Sequence, residues 1–396
     1  MATPLNHQDS NGLVNRTRGI ITCNDFGRDN RLAARMQPNK RLVQSFGIQN
    51  SFTTDDPKIY SEFKRSAVKV MKKYDWQDMG QIRDLCQSYV AAELHKHGDK
   101  VYLASLIQFS TLKIVFRMFF ADETDHIESE SAQDAIRLLA RRTNEIWITS
   151  KEENNSEWGN EVEMYQALRK VLQDQGKHDP LNKATNPFNK ILPAYETMWR
   201  VVLRGLLEVK FRDAPDQQIW LQTLERMRQD LSRADFQDRR SGHPSAKDIV
   251  KETLRLYPPT RHIYRDFTDI DGQAEGKMVA DVERCHHNMA VFSDDPFRFR
   301  PELWQMFNEE GNVERKLKKI ELEAGFMPFG AGNFECPASS TGFGFRMIAL
   351  LIGSLAHCIG NDWNLDWAGE EQPPLGEKLN SKRDAYLQLK LIRKSA

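Results

Sequence analysis

One cysteine of the sequence lies where a thiolate could do chemistry. Cys336 falls in the stretch FGAGNFECPASSTGFGFRM, residues 329–347, between a glycine-rich turn and the start of an apolar helix. Glycines admit positive φ and let a backbone pass close to a ligand. Pro337 suits the first helical position, where its missing N–H costs nothing. A helix N-terminus favours a thiolate, so Cys336 is a candidate nucleophile, metal ligand or redox centre.

Several ordinary roles for such a cysteine lack the partners they need. A cysteine nucleophile requires a base, and His357 lies about six helical turns further along the chain, out of reach. A zinc site requires four converging ligands, and Cys285, His286 and His287 have no second pair nearby. The loop also lacks the lysine of a phosphate-binding loop. The other motifs must therefore decide between the remaining roles.

The segment KETLRLYPPTRHIYR carries a second group of charges. Glu252 and Arg255 are three residues apart, so they share one face of the predicted helix. The same spacing occurs twice elsewhere in the chain, and an ordinary surface ion pair is the alternative interpretation. This copy differs because a Tyr-Pro-Pro stop follows it. Beyond the stop, Arg261, His262 and Arg265 crowd a short extended segment that could grip an anion.

A proline interrupts the apolar helix predicted in NPFNKILPAYETMWRVVLRGLLEV. Pro193 cannot complete the hydrogen-bond ladder and frees the carbonyl four residues earlier. Glu196 and Thr197 follow it closely. An acid and a hydroxyl beside a kink in a buried helix indicate a path for protons. The alternative is a simple kink with Glu196 turned to solvent.

Composition limits the class of protein. The 396 residues include 56 basic and 56 acidic side chains, giving a net charge of zero and no basic excess for nucleic acid. The five cysteines are scattered and odd in number, which indicates a reducing compartment rather than a disulfide framework. No apolar run predicts a signal peptide or transmembrane anchor. We expect a cytoplasmic protein, with peripheral contact at the endoplasmic reticulum left open.

Apolar spacing predicts a mainly α protein with small β-sheets. Residues 1–45 are expected to form an N-terminal arm with little structure, and residues 46–396 a single domain. Strand patterns occur in HIYRDFTDIDGQ, KMVADVE and AYLQLKLI. Helices are predicted over 58–73, 76–97, 101–120, 132–149, 161–175, about 187–211, 217–232 and 245–256.

One family contains all of these motifs, in the same order along the chain. From about Ser51 to the C-terminus, the chain resembles the cytochrome P450 family of haem-thiolate monooxygenases, and most of all its short fungal members without a membrane anchor. The cysteine loop is similar to the family pattern Phe-Gly-x-Gly-x-Arg-x-Cys-x-Gly. The matching residues are Phe329, Gly330, Gly332 and Cys336.

Further segments carry the resemblance. Glu252 and Arg255 match the family's E-x-x-R helix, and DDPFRFRPELW resembles its D-P-x-x-F-x-P-E-R-W segment. PAYETM is similar to the oxygen-activating kink through Glu196 and Thr197. The resemblance also implies three contacts to the haem propionates. Their residues are Tyr60, Lys64 and Arg265.

Three positions depart from the family pattern. Phe334 replaces a propionate-binding basic residue, and Ala338 replaces a glycine. Leu303 stands where an arginine usually completes the E-x-x-R triad, and Arg298 or Arg300 could substitute. We still expect haem binding with these departures, and they count more against ordinary monooxygenase turnover than against haem binding.

The resemblance implies a cytochrome P450-like fold with a shortened N-terminal region. It implies haem b ligated by Cys336, proton delivery by Glu196 and Thr197, and electrons from NADPH through a separate NADPH-cytochrome P450 reductase. The expected function is monooxygenation of an apolar small molecule in fungal secondary metabolism. Two alternatives stay open. One is a haem-thiolate isomerase, dehydratase or cyclase that inserts no oxygen, and the other is a degenerate haem-binding partner protein.

Overall fold

A computed structural model gives the fold, and it describes residues 7–24, 31–152, 157–173, 176–239, 242–268, 274–292, 294–307 and 314–394. The chain is mainly helical with two small sheets, which confirms the predicted fold class. The helices are α1 (His7–Thr22), α2 (Arg31–Met36), α3 (Lys40–Phe46), α4 (Pro57–Lys73), α5 (Met79–His97), α6 (Leu103–Phe119), α7 (Glu130–Thr149), α8 (Val162–Val171), α9 (Phe188–Tyr195), α10 (Met198–Lys210), α11 (Gln217–Asp230), α12 (Arg233–Gln237), α13 (Ala246–Leu256), α14 (Val282–His286), α15 (Met289–Phe292), α16 (Glu314–Glu323), α17 (Pro337–Ser340) and α18 (Phe343–Ile359). The strands are β1 (Lys100–Tyr102), β2 (His262–Thr268), β3 (Ala274–Asp281), β4 (Trp363–Asp366) and β5 (Lys390–Arg393).

The core is built on helix α18, whose apolar residues surround most of its circumference. It packs against α5, α10, α11 and α13, and the largely apolar α6 joins this bundle through α5 and α10. Gly205 of α10 faces Ile352 of α18. A Cβ on Gly205 would lie 2.4 Å from the Ile352 Cδ1, so glycine is needed for this close helix approach.

Two sheets flank the bundle. Strands β2 and β3 form an antiparallel hairpin that pairs His262 with Asp281 and Arg265 with Met278. The other sheet has the order β1-β5-β4, also antiparallel. Alternation along β2 buries Arg265 and exposes Tyr264. The hairpin therefore directs one arginine inward, toward the cysteine loop.

The expectation that residues 1–45 have little structure is wrong for the part that the structure describes. This part contains α1, α2 and most of α3. Val14, Ile20 and Ile21 are buried against β3 and the start of α14. Only three such apolar residues lie among polar neighbours, so the local pattern is weak and the packing surface supplies most of the helix stability. The division of the chain at residue 45 remains a prediction.

Pro193 breaks the predicted long helix as its position requires. Helix α9 ends at Tyr195 and α10 begins at Met198, so the break falls on residues 196–197. The carbonyl of Asn189, four residues before the proline, accepts a hydrogen bond from the Asn50 side chain at 3.2 Å. Among the described residues, no helix combines the length and hydropathy that crossing a bilayer requires.

Candidate functional site

The cysteine loop is a tight turn that presents Cys336 at the start of α17. Gly330 and Gly332 adopt positive φ values of 74° and 58°, which glycine alone adopts without strain. The Cys336 N–H donates to the Phe329 carbonyl at 2.9 Å and closes the turn. Cys336 is the N-cap residue of α17, and Pro337 occupies the first turn as predicted.

The thiol of Cys336 is densely surrounded although the residue stays partly exposed. Burial raises its pKa. The backbone N–H of Ala338 hydrogen-bonds the sulfur and acts in the opposite direction, as do the charges of Arg35 and Lys64. In the protein without a bound metal, burial therefore opposes the predicted preference for a thiolate more strongly than the neighbouring N–H and cations support it. A bound metal cation would reverse this balance.

Tyr60 and Lys64, which the resemblance places near a haem propionate, contact the cysteine loop in the structure. They lie one turn apart on α4. The Tyr60 hydroxyl donates to the Asn333 carbonyl at 2.5 Å, and the Lys64 ammonium donates to the same oxygen at 2.8 Å. This carbonyl lies three residues before Cys336. The pair therefore anchors α4 to the loop and places a cation beside it.

Two buried arginines lie over the ring of Phe334. The guanidinium carbons of Arg35 and Arg265 are 5.0 and 5.2 Å from the ring centroid. Arg265 donates to the carbonyls of Ile21 and Tyr264, each at 3.0 Å, and its Nε has no partner. Sequence reasoning missed Arg35, although the basic residue absent at Phe334 indicated that a substitute should exist.

The cysteine loop consequently carries an excess of positive charge. Arg35, Lys64 and Arg265 make no ion pair with any carboxylate in the described parts of the chain. The adjacent Glu335 is paired with Lys318 instead. Three cations beside a thiol are suited to a ligand that carries more than one negative charge.

The three groups predicted to grip one anion after the Tyr-Pro-Pro stop do not converge. Arg265 lies over Phe334, whereas His262 Nε2 is 3.6 Å from the Asp281 carboxylate. Arg261 Nη1 is 3.8 Å from Glu283, at the other end of the segment. An extended strand spreads its side chains over two faces and several ångströms, which explains the separation.

Glu252 and Arg255 form a fully buried ion pair on α13. Both side chains are 0% exposed, and the arginine Nε and Nη2 donate to the two carboxylate oxygens at 2.8 and 2.7 Å. Arg255 also donates to the carbonyl of Pro296 at 2.6 Å. The pair thus binds the segment that resembles D-P-x-x-F-x-P-E-R-W, and the surface-pair alternative is excluded.

Trp304 and a backbone amide complete this group, not another arginine side chain. The Trp304 indole N–H donates to Glu252 at 3.1 Å, and the Arg300 backbone N–H donates at 2.8 Å. Arg298 contributes only its carbonyl, which accepts from Arg255 at 3.2 Å. The expected substitution by a side chain of Arg298 or Arg300 is therefore wrong.

His286 serves the same region through its two ring nitrogens. Nδ1 lies 3.2 Å from the Leu254 carbonyl, and Nε2 accepts from the Met327 N–H at 2.9 Å. These bonds fix a neutral ring. Burial lowers the pKa of His286 to about 3, and the charge of Arg255 acts in the same direction.

Glu196 and Thr197 lie at the break between α9 and α10. Glu196 is only 1% exposed, so the alternative in which it faces solvent is wrong. Its carboxylate contacts the Arg383 guanidinium and lies 3.9 Å from Arg200. The Thr197 hydroxyl is 3.5 Å from the Pro193 carbonyl and is part-buried. The structure thus places the two predicted groups side by side and adds two arginines to them.

Comparison with known proteins covers the segment with the buried ion pair and the cysteine loop. Residues 222–338 match the family described as Cytochrome P450. Over 117 residues the chain is 32% identical to Cytochrome P450 monooxygenase 76AD131 of Lophophora williamsii, covering 29% of this chain and 22% of that protein. It is 36% identical over 115 residues to Flavonoid-6-hydroxylase of Mentha piperita, covering 27% and 20%.

The fold is similar to that of a bacterial member over nearly all of its length. CYP154A1 from Streptomyces coelicolor A3(2) matches with a TM-score of 0.52 and 16% identity, covering 96% of this chain and 90% of that chain. The family match of residues 222–338 and the similar fold both support membership of the cytochrome P450 family. The aligned segments of this chain span less than a third of the curated relatives named above.

The donor set fits the haem that this family implies. Cys336 would supply the thiolate ligand to the iron, and the Ala338 N–H already contacts its sulfur. Arg35 and Arg265 are buried guanidiniums without carboxylate partners in the described residues, and the Arg265 Nε is unsatisfied. A haem brings two propionate carboxylates, which such cations bind through charge-assisted hydrogen bonds. The charges are therefore complementary.

Proposed function

We propose that this protein is a haem-thiolate monooxygenase that hydroxylates or otherwise oxidises a largely apolar small molecule. The family membership and the charge of the cysteine loop support the proposal. Bound through Cys336, haem b supplies one-electron and oxygen chemistry, and the thiolate favours O–O cleavage. The remaining steps belong to the chain's own residues.

Binding of the cofactor is divided between several elements. Cys336 would ligate the haem iron, and Phe329, Gly330 and Gly332 shape its loop. The propionates pair with Arg265 and with Arg35, which takes over from the absent basic residue at position 334. Tyr60 and Lys64 hold the loop through Asn333, as described above, and Lys64 adds a third positive charge. Glu252 and Arg255 fix the segments packed behind the loop.

Proton transfer is assigned to the residues at the break between α9 and α10. The Thr197 hydroxyl can hold a proton at Oγ1, and Glu196 lies next to it. For this role Glu196 must first lose its contact with Arg383, and its carboxylate can then accept or donate a proton.

The setting of the reaction is part of the same proposal. The resemblance to short fungal members supports a role in secondary metabolism, and the curated relatives named above are plant proteins. Electrons come from NADPH through a separate NADPH-cytochrome P450 reductase. A cytoplasmic enzyme, with or without peripheral contact at the endoplasmic reticulum, is consistent with this route.

The observation that carries the proposal is the partly exposed Cys336 among three cations that have no carboxylate partners in the described chain. Purified protein reconstituted with haem, reduced and exposed to carbon monoxide, should show the red-shifted Soret band of thiolate ligation. Cys336→Ala should lose that band, and Cys358→Ala should keep it. Retention of the band by Cys336→Ala, or a failure of the native protein to bind haem, would overturn the proposal.

One observation favours a second function, that of a haem-thiolate isomerase, dehydratase or cyclase. The Glu196 carboxylate is engaged by Arg383 instead of lying free beside Thr197. Such a carboxylate is poorly placed to pass protons to oxygen. Incubation with substrate under argon separates the functions, because only the second one gives product without oxygen and NADPH.

A further inference from the structure

Two arginines contact the buried carboxylate of Glu196, and three further cationic side chains lie near those arginines. The five come from five separate parts of the chain, which only the fold brings together. Two of them are inside the core: Arg200 is 5% exposed and the Arg383 side chain 16%. The others extend toward solvent. The full set, called here the cation cluster, consists of Arg41, Lys151, Arg200, Arg261 and Arg383.

Trp147 of α7 organises one side of the cation cluster. The guanidinium carbon of Arg383 lies 4.4 Å from its ring centroid, and that of Arg41 lies 5.0 Å away. Arg41 also donates to the hydroxyl of Ser150, beside Lys151. Contacts with an aromatic face hold the arginines in place without neutralising their charge.

The segment that follows α13 lies on the other side of the cation cluster. Arg200 Nη1 donates to the Pro259 carbonyl at 3.2 Å and lies 3.9 Å from Glu196, and its Nε has no partner. Arg261, two residues beyond Pro259, lies 3.8 Å from Glu283, which Lys378 also engages. Glu283 therefore cannot compensate Arg261 fully.

The charges in the cation cluster do not balance. Within the described chain, Glu196 and a shared Glu283 face five cations. Burial lowers the pKa of Arg200 to about 10, and the neighbouring charge of Arg261 adds to this. Burial also lowers the pKa of Lys151, as do the charges of the other four cluster members. Like charges held together at a partly buried site are costly unless an anion joins them.

We propose that the cation cluster binds the carboxylate of a small organic acid. Arg383 and Arg200 already bind one carboxylate, that of Glu196. This favours a carboxylate ligand over a larger anion. The incoming acid pairs with Arg383 and the outer cations, and Glu196 keeps Arg200. The assignment of this acid as the substrate rests on the proposed function; the binding of an acid does not.

Titration calorimetry on the full chain tests the proposal without any haem chemistry. The probes are benzoate, 4-phenylbutyrate and decanoate, each paired with its neutral amide. At least one acid should bind about tenfold or more tightly than its amide, as expected of a charge-assisted contact. Its affinity should fall as sodium chloride is raised.

Variants then place the acid at the cation cluster. Arg261→Gln and Arg383→Gln should each weaken acid binding by about fivefold or more, with little effect on the amide. Glu196→Gln should strengthen it, because the competing carboxylate is gone. Arg141→Gln is the matched control, since it removes an arginine of α7 that is exposed and paired with Glu145 at 2.6 Å.

Three outcomes would overturn the site. They are equal binding of every acid and its amide, no binding of any acid at its solubility limit, or equal weakening by Arg141→Gln. The effect of Glu196→Gln has the opposite sign from that of the arginine variants, so a folding defect cannot imitate the full pattern. If the protein binds an acid but shows no red-shifted Soret band, the proposed function is contradicted and the acid site is not. If it shows the Soret band but binds no acid, the acid site is contradicted and the proposed function is not.

Discussion

The guanidinium carbon of Arg35 lies 5.0 Å from the centroid of the Phe334 ring, within the loop that carries Cys336. The family pattern that this loop resembles has a basic residue at the Phe334 position. Here a charge comes instead from α2, and the guanidinium lies over the Phe334 ring. The N-terminal helices therefore contribute a cation to the surroundings of the cysteine loop.

Replacing Arg35 should weaken haem retention. Arg35→Gln removes a buried cation that can form a charge-assisted hydrogen bond worth about 1.5–3 kcal/mol, so haem transfer to an apo-acceptor protein should be about tenfold faster or more. Arg265→Leu should act in the same direction. Arg16→Gln, which removes an exposed arginine of α1, is the control. Transfer at the native rate from Arg35→Gln would mean that the propionates are held elsewhere.

The buried Glu252–Arg255 pair should contribute far more to the free energy of unfolding than the pair of Glu225 and Arg228. Arg255→Met leaves the Glu252 carboxylate uncompensated, which should lower the free energy of unfolding by about 3–5 kcal/mol. Glu225 and Arg228 have the same three-residue spacing, but Glu225 is 35% exposed. Arg228→Met should therefore cost about 1 kcal/mol or less. Urea unfolding at a fixed haem content measures both losses.

A third variant checks that Trp304 completes the group. Trp304→Phe keeps the ring but removes the indole N–H that Glu252 accepts, at an expected cost of about 1.5–3 kcal/mol. Equal losses for Arg255→Met and Arg228→Met, together with native stability for Trp304→Phe, would show that this group contributes no more than a surface ion pair.

His286 should make the protein sensitive to acid. Its pKa is about 3 in the folded chain and near 6.5 when unfolded. Below pH 6.5 the unfolded chain therefore binds more protons, and stability falls as the pH decreases toward 3. The slope from this group is about 1.4 kcal/mol per pH unit.

Urea midpoints between pH 7 and pH 4 measure this effect. His286→Gln should reduce the loss of stability on acidification, since its amide can accept from Met327 but does not titrate. His95→Gln changes an exposed histidine and should leave the native pH profile intact. An unaltered profile for His286→Gln would assign the acid sensitivity to other groups.

Local patterns in the sequence predicted the parts of this protein that depend on near neighbours. The helix of Glu252 and Arg255, the tight cysteine turn and the break after Pro193 all follow from spacing, glycine and proline. The identity of the third partner of Glu252 did not follow. Two candidates had the right charge, but the fold brings an indole and a backbone amide to that place.

Contacts between distant segments set the remaining features. Arg35 reaches Phe334 only because α1 and α2 pack on the β2–β3 hairpin, and the apolar residues of α1 are too few to predict that packing. The thiol pKa of Cys336 likewise depends on burial by the whole loop and its neighbours, which opposes the helix N-terminus. A single sequence shows the effects of near neighbours, but not the contacts and burial that distant segments supply.

If the proposed function holds, the groups at the break at residues 196–197 should control whether oxygen is inserted into the substrate. With the hydroxyl lost, Thr197→Ala should continue to consume NADPH in the presence of reductase, while peroxide rises and oxidised product falls. Proton delivery by a positioned group contributes about a hundredfold or more, so the loss of product should be large. Thr149→Ala, at the exit of α7, is the control, because its hydroxyl bonds only to carbonyls of its own helix. Product formation at the native level by both Thr197→Ala and Glu196→Gln would remove the oxygen-activating role, and the function without oxygen insertion would then be the better account of the Glu196–Arg383 contact.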